Sequence, residues 1–132
     1  MEITVTTMQG RVPVDVLHVH GNIDSTNYET FQAKAKELID GGAHYILVDF
    51  AHVPYLSSAG LRVIQGMYNQ LRALDTGTSE EEIHKGIAAG TYKSPHLKVS
   101  NLSKATKEVF AMSGFDMFIE TFADVMTAVA SF

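Results

Sequence analysis

The chain has 132 residues, 45% apolar and 19% charged, which fits one domain long enough to bury a core without cross-links. No cysteine is present, which fits a cytosolic chain, and ten basic against fifteen acidic side chains leave a net charge of −5. With no Lys/Arg cluster to grip a phosphate backbone and no run of ~18 apolar residues to span a bilayer, neither a nucleic-acid nor a membrane partner is expected, and the reading is a soluble cytoplasmic domain.

Ile3, Val5 and Thr7 alternate with polar residues, Gln9-Gly10 turns the chain, and Val12 to His20 forms a second, valine-rich strand, so the chain opens with a hairpin. Gly21-Asn-Ile-Asp24 ends that strand. Thr26-x-x-Glu29 has the form of a capping box ahead of Tyr28, Phe31, Ala35, Leu38 and Ile39, a first helix stopped by Gly41-Gly42. Tyr45 to Phe50 is apolar apart from Asp49, the pattern of a central parallel strand. The chain breaks at His52 to Tyr55 and sets Ser57 and Ser58 before a helical stripe of Leu61, Ile64, Met67, Tyr68, Leu71 and Leu74. Gly66 inside this second helix costs ~1 kcal/mol relative to Ala and suggests close packing. Asp75 to His96 is rich in Gly, Thr and Glu, with Ser79-x-x-Glu82 placed to cap a short helix reaching Ile87. Leu97, Val99 and Asn101 mark a strand, and Ala105, Val109, Phe110 and Met112 a helix ending at Ser113-Gly114. Met117 to Ile119 reads as a last short strand, and Phe122, Val125, Met126, Val129 and Phe132 stripe a terminal helix. Strands alternating with helices predict an α/β fold: a single mixed, mostly parallel sheet with an opening β-hairpin and about four helices, in one domain over residues 1–132.

The chemistry concentrates where a strand hands over to a helix. There the Ser57–Ser58 hydroxyls meet the positive end of a helix, an exposed and polar position. The other candidates have plainer readings. His18 and His20 alternate along a strand and need only a polar edge or a satisfied pocket, and Glu80, Glu81, Glu82 and His84 form a solvated helix turn, so no metal site is expected. No glycine loop ends in Gly-Lys-Ser/Thr, no Gly-x-Ser-x-Gly elbow is present, and no triad can be built by spacing. Neither catalytic residues nor a cofactor are expected, and the aromatic and methionine stripes read as core.

Three stretches in order resemble the STAS domain of the anti-anti-sigma factors, the anti-sigma factor antagonists. They are the turn Gly21-Asn-Ile-Asp24, the run VDFAHVPYLSSAGLRVI from Val48 to Ile64, and the helix end Phe110-Ala-Met-Ser-Gly114-Phe. The resemblance implies a regulatory binding protein rather than an enzyme. When unphosphorylated it would bind an anti-sigma factor serine kinase and free a sigma factor, and phosphorylation at Ser58, the family's acceptor position, would release it. Asp24, Ser57, Ser58, Ala59, Gly60 and Arg62 are then the partner-binding surface. Ser57 stands where well-known members carry aspartate, and Ala59 where they carry a second hydroxyl. The alternative is a STAS-type scaffold or small-molecule sensor module not regulated by phosphorylation.

A dianion beside Asp24 on an acidic domain would repel an acidic or apolar partner face, while the helix N-terminus would stabilise it locally. Residues 75–96 exceed the short turn of the anti-anti-sigma proteins and read as an insertion. About sixteen helical residues at ~1.5 Å each carry the chain ~24 Å from the serine end, so this insertion should lie at the opposite end of the sheet and is a candidate surface for self-association into a homo-oligomer.

Overall fold

A computed structural model of the chain describes residues 1–74, 77 and 79–132. The elements in order are β1 (Glu2–Gln9), β2 (Pro13–His20), α1 (Tyr28–Asp40), β3 (Ile46–His52), α2 (Ser58–Arg72), α3 (Glu80–Ala89), β4 (Leu97–Ser100), α4 (Lys104–Ser113), β5 (Glu120–Phe122) and α5 (Val125–Ser131), with a 3₁₀ turn at Phe115–Met117. The strands form one sheet in the order β1-β2-β3-β4-β5. The β1–β2 hairpin is antiparallel, in register from Glu2 opposite His20 to Gln9 opposite Pro13, and the remaining pairings are parallel. Each parallel step crosses over through helical chain, as parallel pairing requires.

Alternation along the strands sends one set of side chains to each face. Leu17, Val19, Ile46, Val48, Phe50, Leu97 and Val99 meet Phe31 and Ala35 of α1, Val63, Ile64, Met67 and Leu71 of α2, and Phe110 of α4 in the main core. Val14, Val16 and Leu47 point the other way and are covered by Ala128 and Val129 of α5. Lys98 tethers the end of α5. Its ammonium group donates to the Ser131 carbonyl at 3.0 Å, lies 3.5 Å from Glu120 and sits 4.9 Å from the centre of the Phe132 ring.

Several boundaries depart from the sequence reading. The Thr26–Glu29 capping box does not form: the helix begins at Tyr28, and Thr26 instead donates its N–H and hydroxyl to Asp24 Oδ1, at 2.8 and 2.5 Å. Asp24 closes the turn locally and so removes the threonine from the cap. The last strand is not Met117–Ile119. Phe115–Met117 is a 3₁₀ turn, and β5 runs over Glu120–Phe122 because that is the stretch in register with Lys98–Ser100. Met112 and Met126 are 89% and 77% exposed, so the methionine stripe is not wholly core.

Of the segment 75–96, Asp75, Thr76 and Thr78 lie outside the described residues. Ser79 caps α3 by accepting from the Glu82 N–H at 3.2 Å. Ile83 is the buried residue of α3, and Arg72 at the end of α2 pairs with Glu80. The segment returns at His96, whose carbonyl accepts from the Ile46 N–H at the start of β3.

Candidate functional site

The site forms because β2 and β3 keep pairing after their strands end. The register slips between His18 opposite Asp49 and His20 opposite His52, an extra residue in β3 of the kind that bends a strand. Gly21, at φ +109°, then turns the chain while its N–H donates to the His52 carbonyl at 2.9 Å. A side chain would be strained there. Ile23 and Leu56 form an isolated parallel bridge, with the Ile23 N–H donating to the Tyr55 carbonyl at 3.0 Å and the Ser57 N–H to the Ile23 carbonyl at 2.9 Å. The bridge ties the Gly21–Asp24 turn to the loop entering α2, so residues some thirty-four apart in sequence share one end of the sheet.

Gly60 makes this junction possible. A Cβ built there would lie 2.2 Å from Leu56 Cδ1 and 2.8 Å from Ile23 Cγ2. The first turn of α2 therefore rests directly on the bridge. Ala59 and Gly60 are buried against it, whereas Ser58 and Arg62 face solvent.

The serine pair divides in two. Ser57 occupies the N-cap position without a side-chain cap bond, and its hydroxyl is buried with no hydrogen-bond partner. Ser58 is the first residue of α2 and is exposed. Of the two hydroxyls expected at this junction, one meets solvent. The first turn of α2 holds no acidic residue, so its free N–H groups have no counter-charge on their own helix turn. Asp24 flanks this end, with its carboxyl held below the usual range by the hydrogen bonds from the Thr26 hydroxyl and N–H.

Two features escaped the sequence reading. Asp49, visible only as the single charge in an apolar strand, is 6% exposed and anchors a polar network. Its Oδ2 lies 2.8 Å from His18 Nδ1, and its Oδ1 accepts from the Asn101 amide at 2.9 Å and the Ala51 N–H at 3.1 Å. The other His18 nitrogen is 3.0 Å from Thr6 Oγ1, so polar groups of β1, β2 and β3 and of Asn101, just past β4, are joined on the second face of the sheet. Burial pushes the Asp49 carboxyl up, but the hydrogen bonds from Asn101, His18 and Ala51 outweigh it and leave the group lowered. His20 and His52 stack beside it at 4.6 Å.

The second feature is a groove of about 390 Å³ between α1 and α2, lined by Tyr28, Ala33, Ile39, Val63, Gly66 and Met67 among others. Gly66 is not there for close packing: a Cβ on it would meet nothing within 4 Å. Among the described residues, no three His, Asp or Glu side chains converge as a metal site, and no helix is long and apolar enough to cross a membrane.

Comparison with known proteins agrees with this geometry. A Bordetella bronchiseptica protein, BtrV, named as a candidate anti-sigma factor antagonist, is 26% identical over 115 residues, 87% of this chain and 80% of BtrV. The Thermotoga maritima protein TM1081, also named as a candidate anti-sigma factor antagonist, superposes with a TM-score of 0.72 at 12% identity, covering 96% of this chain and 90% of that one. The Bacillus cell fate determinant SpoIIAA in its phosphorylated form gives a TM-score of 0.65 at 19% identity, covering 97% and 96%. The STAS domain model matches residues 6–78, from β1 through α2 and the whole bridged junction, and the chain belongs to the STAS domain family.

Proposed function

We propose that the chain is an anti-sigma factor antagonist whose partner binding is switched at Ser58. The observation that carries this is the division of the serine pair: Ser58 is exposed on the first turn of α2, whereas the Ser57 hydroxyl is buried without a hydrogen-bond partner. The names of BtrV and TM1081, and the likeness to SpoIIAA, support the same role. In the unmodified state the surface around Asp24, Ser57, Ser58, Ala59, Gly60 and Arg62 receives an anti-sigma factor with serine-kinase activity. In that kinase's complex with ATP and Mg²⁺, Ser58 Oγ attacks the γ-phosphorus, its proton passes to a kinase base and ADP leaves. The chain is then ligand and substrate, and the phosphoryl chemistry belongs to the partner.

Release follows from charge. A phosphate adds ~1.5 to 2 negative charges to a chain already at −5, next to Asp24. The test uses a purified serine-kinase anti-sigma factor from the same genome, with ATP and intact-mass detection. One phosphoryl group should appear on wild type and on Ser57→Ala and be absent from Ser58→Ala, and Ser58→Asp should lose binding. Transfer that persists in Ser58→Ala, or no transfer to wild type, would overturn the reading.

A further inference from the structure

Arg62 lies one helical turn beyond Ser58. Residues i and i+4 of a helix sit on the same face, with Cβ atoms ~5–6 Å apart, within reach of a guanidinium. Arg62 is exposed, and among the described residues it takes part in no ion pair, although Arg72 holds Glu80, Lys36 holds Asp40 and Lys98 lies against Glu120. Nothing on its own helix competes for it: the first turn of α2 has no acidic residue, and Gln65 is turned to Asn69, its amide donating at 3.1 Å. The nearby carboxylate, Asp24, has one oxygen engaged by Thr26. The unmodified surface therefore presents an uncommitted cation one turn from an uncommitted hydroxyl.

We propose that Arg62 folds onto the phosphate once Ser58 is phosphorylated and holds it in an intramolecular, charge-assisted ion pair. This rests on Ser58 being the acceptor. The fork geometry of guanidinium suits two phosphate oxygens, and the free N–H groups at the start of α2 hold the phosphate from the helix side. The consequence for the switch is that modification acts twice. It adds an anion where the partner docks, and it withdraws the cation that the unmodified face offers to an acidic group on that partner.

The experiment installs phosphoserine at position 58 of the full chain by genetic encoding, so no kinase is needed, and follows the phosphate by ³¹P NMR against pH. The helix N-terminus lowers the titration in every variant, and Arg62 should lower it by about half a unit more than in Arg62→Gln, with Arg62→Lys between them. The gap should close in 1 M NaCl, where screening reaches ~3 Å. Asp24→Asn should shift the midpoint further down, because it removes a like charge. Identical midpoints for wild type and Arg62→Gln would overturn the clasp and leave Ser58 as acceptor untouched. Absence of kinase transfer to Ser58 would instead overturn the acceptor assignment. Equal thermal unfolding of the unphosphorylated forms checks that the exposed substitution leaves the fold intact.

Discussion

Two glycines six residues apart in α2 should respond oppositely to one added methyl. At Gly60 the new Cβ would stand 2.2 Å from Leu56 Cδ1, 2.8 Å from Ile23 Cγ2 and 3.3 Å from Ile23 Cβ. Leu56 and Ile23 are 1% and 0% exposed and are locked together by their backbone bridge, and Ile23 is β-branched, so neither yields easily. Overpacking of this kind costs ~1–3 kcal/mol, and the clash here belongs at the upper end. Replacing glycine in a helix returns ~1 kcal/mol at most, leaving Gly60→Ala less stable by about 2 kcal/mol. For a chain of this size that is a fall in Tm of roughly 6–10 °C.

At Gly66 the Cβ meets nothing within 4 Å, so only the helix term remains and Gly66→Ala should gain ~0.5–1 kcal/mol, or roughly 2–5 °C. Urea unfolding and calorimetry of the two variants side by side measure both. Shifts of the same sign, or a Gly60→Ala protein as stable as wild type, would refute the claim that α2 rests on the Ile23–Leu56 bridge.

Ser57→Ala removes a buried hydroxyl that has no partner, so the usual N-cap loss should not appear: unfolding should be unchanged or slightly higher, and a loss above about 1 kcal/mol would mean that the hydroxyl does cap α2. Ser103 is the contrasting case, accepting from the Thr106 N–H at 3.1 Å, and Ser103→Ala should lower stability by ~1 kcal/mol in the same melts. Asp49→Ala leaves His18, Asn101 and the Ala51 N–H without their shared acceptor and should destabilise by about 2 kcal/mol or more by urea titration. The Asp49 carboxyl is lowered in the folded state, so the unfolded chain binds the proton more readily as pH falls. Its contribution is present above the unfolded carboxylate range near ~3.9 and is lost below it. Urea midpoints from pH 7 to 3 should therefore fall less steeply below about pH 4 in Asp49→Asn than in wild type, and parallel curves would remove the network's claim on acid stability.

Much of the site was legible because it is built from local signals. A turn glycine at 21, an aspartate three residues on at 24, and a serine pair ahead of a glycine and an apolar stripe each state a backbone conformation within a few residues. The order of elements was legible for the same reason: periods of two and of about three and a half residues separate strand from helix without knowledge of what they touch. Met117–Ile119 and Met126 show where this stops. An apolar run of three residues is too short for a period, and whether it pairs is settled by where β4 lies beside it.

What sequence alone determined is the succession of strands and helices, and with it the end of the sheet to which Ser58 belongs. What tertiary structure decided is which of two adjacent serine hydroxyls meets solvent, why Gly60 is needed and Gly66 is not packed, and that Asp49 gathers His18, Asn101 and Ala51 into one network. The physical reason is common to these: burial and steric contact at a position are set by residues distant in sequence, here Ile23 against Gly60 and Asn101 against Asp49, and no local periodicity carries that distance.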